Sequence, residues 1–244
     1  MRRFLLIFMV ALCFLSAARA QTLEPGSTGV PITGVISAAE GANVYSQPMG
    51  TAEAVAAWPQ GTALTVETLG IYWCRVTDGT VSGYVPTVAL FLNDWGTFDP
   101  AGENAAKAPR FVVFDKGVVA GAAWTLTLRE KPDRKGKKMD VYVWGTIMIP
   151  LKQGKEYTLV HVGDKVGYLL TKYITPQQEA QKPAQYAVID NKDRVALRYN
   201  RSRHITYLEP GTVVTLISDS NGWSFVEVGG WQGYIVSTFL KVLK

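Results

Sequence analysis

Three copies of one sequence pattern divide this chain. Each copy has a Gly-Thr pair followed 22 positions later by a Gly-Tyr pair, and these pairs begin at Gly61 and Gly83, Gly145 and Gly167, and Gly211 and Gly233. A large aromatic residue lies ten positions before each Gly-Tyr pair, with a valine three positions after the aromatic residue: Trp73 and Val76, Tyr157 and Val160, and Trp223 and Val226. Because a repeat in fixed register is the signature of one structural unit used several times, the sequence predicts three small, similar units.

Each unit is predicted to consist of short β-strands. Residues 157–162 and 223–228 alternate between two faces and end at glycine-containing turns, a pattern typical of strands in hairpins. The same alternation directs the three valines of the repeat, together with Cys74, toward the interior. The three aromatic residues of the repeat then point to the opposite face, and His161, which shares the parity of Tyr157, is expected on the surface.

The first twenty residues are predicted to be a signal peptide. A basic start at residues 1–3 precedes an apolar run at residues 4–15, and Ala18-Arg19-Ala20 has the small-x-small pattern of a cleavage site. The run is short for a membrane span, so we expect an exported protein without a stable membrane anchor. Attachment of a lipid to Cys13 is the alternative, although the preceding leucine fits that modification poorly.

The repeats and the polar stretches between them predict the domain organisation. The expected boundaries are residues 1–20 for the signal peptide, 34–92, 111–175 and 186–244 for the three domains, and 93–110 and 176–185 for the linkers. The second linker is polar and bounded by Pro176 and Pro183, as expected of a tether. The sequence leaves open whether the domains pack rigidly together, and also the oligomeric state.

Positive charge is concentrated in the second and third units. The formal net charge of +5 falls to +2 without the three arginines of residues 1–20. Two basic groups remain, Arg129, Lys131, Arg134, Lys135, Lys137 and Lys138, and Arg194, Arg198, Arg201 and Arg203. In an exported protein these groups favour anionic envelope polymers as partners, and the alternative is that they are solvated loops. Nucleic acid is a poor fit, because the aromatic residues follow the repeat rather than a basic stripe.

The order of short motifs indicates a family. Unit one reads Val44-Tyr45-Ser46-Gln47-Pro48, then Gly61-Thr62, Trp73-x-x-Val76 and Gly83-Tyr84-Val85-Pro86. The other two copies open with Leu128-Arg129-Glu130-Lys131-Pro132 and with Leu197-Arg198-Tyr199-Asn200. This order resembles the bacterial SH3-like (SH3b) domain over nearly all of the chain after residue 20. Unit two departs most, with Tyr157 in place of the tryptophan and Asp140 to Trp144 in place of a proline-bearing approach to Gly-Thr.

The resemblance implies an all-β protein of three tandem small SH3-like β-barrels joined by short linkers. Exported bacterial proteins use such strongly bent barrels mainly to bind cell-wall peptidoglycan or protein peptides. It also implies a ligand groove on the outward aromatic face, with the candidates Tyr45, Trp73, Pro86, Arg129, Tyr157, Tyr173, Arg198, Trp223 and Phe239. An adjacent basic loop contributes Arg134, Lys135, Lys137 and Lys138. Aromatic rings beside basic side chains suit a peptide or a peptidoglycan stem with free carboxylates. The alternative is that each outward ring only covers the open end of a small barrel.

Catalytic chemistry is not expected. The two histidines, His161 and His204, lie in different units, and Cys74 is the only cysteine after residue 20. Metal-ligand spacings, nucleophile elbows and phosphate or dinucleotide loops do not occur, so no metal, cofactor or enzyme activity is predicted. The predicted function is binding of peptidoglycan or an associated envelope polymer, in the periplasm or outside the cell. The alternative is a scaffold that recognises a peptide of another exported protein.

Overall fold

The computed structural model describes residues 23–101, 110–114, 125–177 and 185–244. The predicted signal peptide and parts of both predicted linkers lie outside these ranges. Within them the chain forms short β-strands connected by turns and by 3-10 helices of a single turn. The all-β prediction is confirmed, since the strands form three antiparallel sheets of seven strands each.

The three sheets, here named unit one, unit two and unit three, consist of consecutive strands. Unit one contains β1 (Thr33–Ile36), β2 (Ala42–Tyr45), β3 (Ala54–Trp58), β4 (Ala63–Thr68), β5 (Trp73–Thr77), β6 (Ser82–Pro86) and β7 (Leu90–Leu92). Unit two contains β8 (Phe111–Phe114), β9 (Thr125–Arg129), β10 (Lys138–Val143), β11 (Ile147–Lys152), β12 (Tyr157–Val162), β13 (Lys165–Leu170) and β14 (Ile174–Gln177). Unit three contains β15 (Gln185–Ile189), β16 (Val195–Arg198), β17 (His204–Leu208), β18 (Val213–Ser220), β19 (Trp223–Val228), β20 (Trp231–Val236) and β21 (Leu240–Val242). In each unit the third, second, sixth, fifth, fourth, first and seventh strands are neighbours in that order, so one topology is used three times.

The Gly-Thr pair of each repeat forms the turn into the fourth strand. Its glycine has a positive φ of 82° at Gly61, 82° at Gly145 and 80° at Gly211, a conformation that other residues rarely adopt. The threonine that follows donates its hydroxyl to the carbonyl three residues earlier, over 2.8, 2.7 and 2.7 Å in the three units. The side chain therefore satisfies a carbonyl of the turn, which explains why this pair recurs.

The glycine of each Gly-Tyr pair allows the sixth strand to lie close to the second. A Cβ at Gly83 would lie 2.6 Å from a side-chain carbon of β2. At Gly167 and Gly233 a Cβ would lie 2.8 Å from the carbonyl oxygens of Arg129 and Arg198. Atoms in a close-packed interior do not approach so closely, so each glycine is fixed by strand packing.

The valines of the repeat lie in the cores, as the strand alternation predicts. Val76, Val160 and Val226 are all fully buried. Cys74 is buried in the same core as Val76, which confirms its inward position. The parity assigned to the fifth strand from the sequence is therefore confirmed.

Units one and two share hydrophobic contacts through β8, whose four residues are all buried. Phe111 and Val113 pack into the core of unit one, whereas Val112 and Phe114 pack into the core of unit two. Because successive side chains on a strand point to opposite faces, one strand between two apolar layers contributes to both. The cores of units one and two are therefore distinct but are joined through one strand.

Backbone hydrogen bonds join other parts of the molecule. The segment before β1 pairs with β13, where Gly26 N donates to the carbonyl of Val166 over 2.9 Å. Unit two pairs with unit three, where Gln232 N donates to the carbonyl of Gly145 over 3.0 Å. Side-chain contacts, described below, join unit three to unit one. Each unit thus contacts both of the others.

Candidate functional site

One face of the fifth and sixth strands points away from the core in every unit, and we name it the outer face. It carries the first, third and fifth residues of the fifth strand and their partners on the sixth. In unit one these are Trp73, Arg75 and Thr77, opposite Pro86, Tyr84 and Ser82. In unit two they are Tyr157, Leu159 and His161, opposite Leu170, Tyr168 and Val166. In unit three they are Trp223, Phe225 and Glu227, opposite Val236, Tyr234 and Gln232.

The aromatic part of the outer face of unit one is covered. Trp73 is only 9% exposed, and its ring lies edge-on to Tyr45 and to Tyr186 of unit three, with centroids 5.7 and 6.3 Å apart. Its Nε1 donates to the hydroxyl of Tyr186 over 3.0 Å. The predicted groove residues Tyr45, Trp73 and Pro86 are therefore brought together, since Pro86 pairs with Trp73. Trp73 is nevertheless not an open aromatic surface, contrary to expectation, because unit three packs against it.

In unit two the end of the outer face that carries Tyr157 is accessible, and this ring is half-buried. Arg129 Nη1 donates to the carbonyl of Gly136 over 2.8 Å, which holds the β9–β10 hairpin. The tip of that hairpin is exposed and carries the predicted basic residues Arg134, Lys135, Lys137 and Lys138. We name this loop the basic hairpin.

In unit three an arginine lies over two aromatic rings. Trp223 is half-buried, and Cζ of Arg201 lies 6.0 Å from its ring centroid and 5.4 Å from that of Tyr234. A cation attracts an aromatic ring at such distances. In the same loop Arg198 Nη1 donates to the carbonyl of Ser202 over 2.6 Å. The sequence places Arg201 in a basic group but does not identify it as the partner of these rings.

Two groove candidates mainly support the cores of their own units. Tyr173 and Phe239 lie in the 3-10 helices before the last strands, and each packs against the core beneath it. Lys172 Nζ lies 4.7 Å from the ring centroid of Tyr173. Both rings remain half-buried, so each helix contributes one partly accessible aromatic residue.

Trp144 of unit two covers the middle of the outer face of unit three. Its ring centroid lies 5.7 Å from that of Tyr199, 6.3 Å from Phe225 and 6.4 Å from Tyr234. In the sequence Trp144 appears only as a departure from the repeat before the second Gly-Thr pair. The departure from the repeat is the sequence feature that could have indicated this contact. A residue that the fold of its own unit does not require can instead contact a neighbouring unit.

His161 is buried where unit two meets unit one. Its side chain has no exposed surface, Nδ1 lies 2.7 Å from Oδ2 of Asp94, and Nε2 lies 2.9 Å from the carbonyl oxygen of Val30. Because a carbonyl only accepts, Nε2 donates, and the carboxylate beside Nδ1 favours the doubly protonated ring. Burial lowers the pKa of His161, but the hydrogen bond and charge of Asp94 and the Val30 carbonyl outweigh it, so the pKa is raised.

The surface position expected for His161 is therefore wrong. Its side chain does point away from the core of unit two, but that direction leads into unit one rather than into solvent. Strand parity describes a unit in isolation and contains no information about a neighbour.

Glu227 holds in unit three the position that His161 holds in unit two, and it joins unit three to unit one. Its Oε1 accepts from the backbone N–H of Ile71 over 2.9 Å and of Tyr72 over 3.2 Å. A Cβ on Gly70 would lie 2.8 Å from Oε1, so the glycine leaves room for the carboxyl. Burial raises the pKa of Glu227 to about 8, although these hydrogen bonds and the side chain of Gln232 lower it. Oε2 is buried and has no hydrogen-bond partner among the described residues.

A cleft of about 280 Å³ lies beside this carboxyl, between units one and three. Unit one lines it with residues 46–48, Trp73 and Tyr84, and unit three lines it with residues 211–213 and Glu227. The sequence did not predict this cleft, because its two walls come from different units.

The described ranges carry no sign of a metal centre or of a helical membrane span. They contain no group of three or more His, Cys, Asp or Glu that could hold a metal ion. No helix of that part of the chain is both long and apolar enough to cross a membrane.

Comparison with known proteins finds no family model and no curated protein that matches this chain. Among solved structures, the chain is similar to NlpC2 from Trichomonas vaginalis, with 13% identity, 54% of this chain and 47% of that chain covered, and a TM-score of 0.24. NlpC1 from the same organism has 9% identity, coverage of 92% and 96%, and a TM-score of 0.25. A protein described as an autolysin, from Listeria monocytogenes, has 16% identity, coverage of 89% and 100%, and a TM-score of 0.21. The match spans about half the length of the first of these proteins. TM-scores this low support no inference about the fold, so the fold of this chain is described from its own structure only.

Proposed function

We propose that this protein is exported and binds cell-wall peptidoglycan, or an anionic polymer associated with it, without catalysing a reaction. Its three units act as SH3-like β-barrels, the fold that the sequence motifs resemble. The polymer lies across the accessible ends of the outer faces of units two and three. These ends carry Tyr157 and Trp223.

The observation that carries this proposal is the position of Arg201 over Trp223 and Tyr234. A half-exposed ring offers an apolar platform to a sugar or a peptide, and a guanidinium pairs with carboxylates in a directed geometry. Combined at one surface, they suit a polymer that has both sugar rings and acidic groups.

The division of each outer face also supports the proposal. One end, at His161 in unit two and at Glu227 in unit three, is buried by unit one. The opposite end keeps its aromatic residue half-exposed, and in unit two the exposed basic hairpin belongs to the same sheet. Contacts between units therefore use one end of each face and leave the other for a ligand.

Sedimentation with purified cell-wall sacculi tests the aromatic ends. Trp223→Ala combined with Tyr157→Ala is expected to weaken binding by at least tenfold, since loss of a central aromatic anchor costs on the order of 2 kcal/mol. Circular dichroism and thermal unfolding report whether the variant is folded. Phe98→Ala is the matched control, because Phe98 is a half-buried ring that lies outside the outer faces.

The outcomes separate the two functions considered. Binding at the wild-type level by the folded double variant contradicts the assignment of the outer faces. If the unmodified protein does not sediment with sacculi at low salt, wall binding is wrong and recognition of a peptide from another exported protein becomes the better explanation.

Charge reversal at Lys135, Lys137 and Lys138 tests the basic hairpin separately. Exposed charges mainly steer association and are screened by salt. The reversed variant is therefore expected to bind more weakly than the wild type at low salt and to approach it at high salt. Equal binding at both salt concentrations would remove the hairpin from the proposed site.

A further inference from the structure

We propose that the cleft between units one and three binds a primary alkylammonium group, such as the end of a lysine-like side chain, with the Glu227 carboxyl as its partner. This site is separate from the accessible ends of the outer faces. It goes beyond the proposed function, because any peptide that bears such a group is a candidate ligand.

The first argument is the unpartnered oxygen of Glu227. Oε1 already accepts two backbone N–H groups, whereas Oε2 is buried and has no partner among the described residues. The side chain of Gln232 lies close enough to lower the pKa of Glu227, but it forms no hydrogen bond with Oε2. An ionised Oε2 therefore lacks a donor, and a protonated Oε2 lacks an acceptor. A buried polar atom without a hydrogen-bond partner destabilises the folded protein. A charged N–H donor supplied from the cleft removes that cost.

The second argument is the chemistry of the lining. Trp73 and Tyr84 both line the cleft, and aromatic side chains attract an ammonium group. Of the described residues that line the cleft, Glu227 is the one that can carry a full charge near neutral pH, and none is Lys, Arg or His. The site therefore favours a cation and has no cationic side chain to pair with an anion.

The third argument is size. At about 280 Å³ the cleft lies at the lower limit of sites that hold whole small molecules, which are roughly 300–1,000 Å³. It accommodates one side chain with its terminal group. The apolar stem of an alkylammonium packs against Trp73, Pro48 and Val213, which also line the cleft.

Binding is expected to release a proton. Burial raises the pKa of Glu227 to about 8, so this carboxyl is mainly neutral at pH 7. The titratable groups near it are the phenol of Tyr72, whose pKa is raised by burial and by the Glu227 charge, and Tyr84, which lines the same cleft. An ammonium that pairs with Oε2 favours the ionised form, and the displaced proton goes to the buffer.

The test uses the protein without its predicted signal peptide, with Nα-acetyl-L-lysine amide as the probe and Nα-acetyl-L-norleucine amide as its uncharged counterpart. Binding is followed by two-dimensional NMR, with the indole N–H of Trp73 as the reporter. The lysine probe is expected to bind at least tenfold more tightly than the norleucine probe. Calorimetry of the lysine probe at pH 7 in buffers of different ionisation enthalpy is expected to show proton release.

Glu227→Gln separates this role from a structural one. Its amide oxygen still accepts from Ile71 and Tyr72, whereas the amide nitrogen replaces Oε2 and repels an ammonium. We expect a folded variant that has lost the tenfold preference and the proton release, while Glu156→Gln, at an exposed acid of unit two, keeps both.

Equal binding of the two probes by the unmodified protein overturns the proposal, and this result does not depend on the folding of any variant. An unchanged preference in folded Glu227→Gln overturns it as well. Neither result bears on the sacculus experiment, because the wall-binding surfaces lie elsewhere.

Discussion

Two polar residues at equivalent positions of the repeat act as junction residues, although each would face solvent in an isolated unit. His161 pairs with a carboxylate and a carbonyl of unit one, and Glu227 accepts from two backbone N–H groups of the same unit. Their burial comes from a neighbour and not from their own sheet. The protonation state of each residue is therefore coupled to the contact between its own unit and unit one.

Glu227 is expected to make the protein less stable as pH rises. Its pKa is about 8 in the folded protein against an ordinary 4.5, so between these values the folded state holds a proton that the unfolded chain has lost. Its contribution to stability is then highest below about 4.5 and falls as pH rises through 8, and each tenfold difference in proton affinity between the two states corresponds to roughly 1.4 kcal/mol. Urea unfolding at pH 5, 7 and 9 measures this change. In Glu227→Gln the decline should be smaller, and an identical decline would contradict the assignment.

His161 is also expected to make the protein less stable as pH rises. Its raised pKa means that its contribution is fully present below the ordinary value of 6.5 and is lost as pH rises through the folded value. Asp94→Asn removes the carboxylate and should lower the pKa of His161, as followed by the NMR signals of its ring. Because one partner of a buried pair is lost, the variant should also be less stable by on the order of 3 kcal/mol. A ring titration that does not move would exclude Asp94 as the cause.

At the scale of strands, the repeat reflects two places where the backbone tolerates few alternatives. One is the positive-φ glycine of the turn into the fourth strand. The other is the glycine of the sixth strand, which lies too close to the second strand for a Cβ. Both requirements are local, so they appear in the sequence as fixed residues at fixed spacing.

Gly233→Ala tests the second requirement. The added carbon would lie 2.8 Å from the carbonyl of Arg198 and 2.9 Å from the side chain of Leu197, so β20 and β16 must separate. We expect a loss of stability of about 1–3 kcal/mol, the usual effect of overpacking, seen as a lower midpoint in urea. Gly50→Ala is the matched control, since nothing lies within 4 Å of its added carbon. Equal midpoints for the two variants would show that the strands adjust without cost.

The strands, the repeat and the facing of their residues could be predicted from the sequence because alternation and turn residues act over a few positions. The contacts between units could not be predicted in this way. Asp94 lies in a predicted linker and the partners of Glu227 are backbone groups, so neither carries a recognisable pattern. Trp73 shows the same limit, because its outward direction was predictable but its cover by Tyr186 of unit three was not.

For the whole molecule, the units are connected unequally. Units one and two share β8, whose residues alternate between two cores, whereas the core cluster of unit three contains only residues of unit three. Unit three is held to the others by backbone pairs, by Trp144, by the Glu227 carboxyl and by the hydrogen bond from Trp73 to Tyr186. This difference predicts one cooperative block formed by units one and two, with unit three able to open separately.

Phe111→Ala tests this organisation by hydrogen exchange. Phe111 belongs to the sheet of unit two but packs fully buried in the core of unit one. Its truncation should cost about 3–5 kcal/mol and speed exchange in β4 and β12 together. Leu197→Ala, which removes a fully buried side chain from the core of unit three, should instead speed exchange in β19 first. Faster exchange in only one of units one and two after Phe111→Ala would mean that β8 does not couple them.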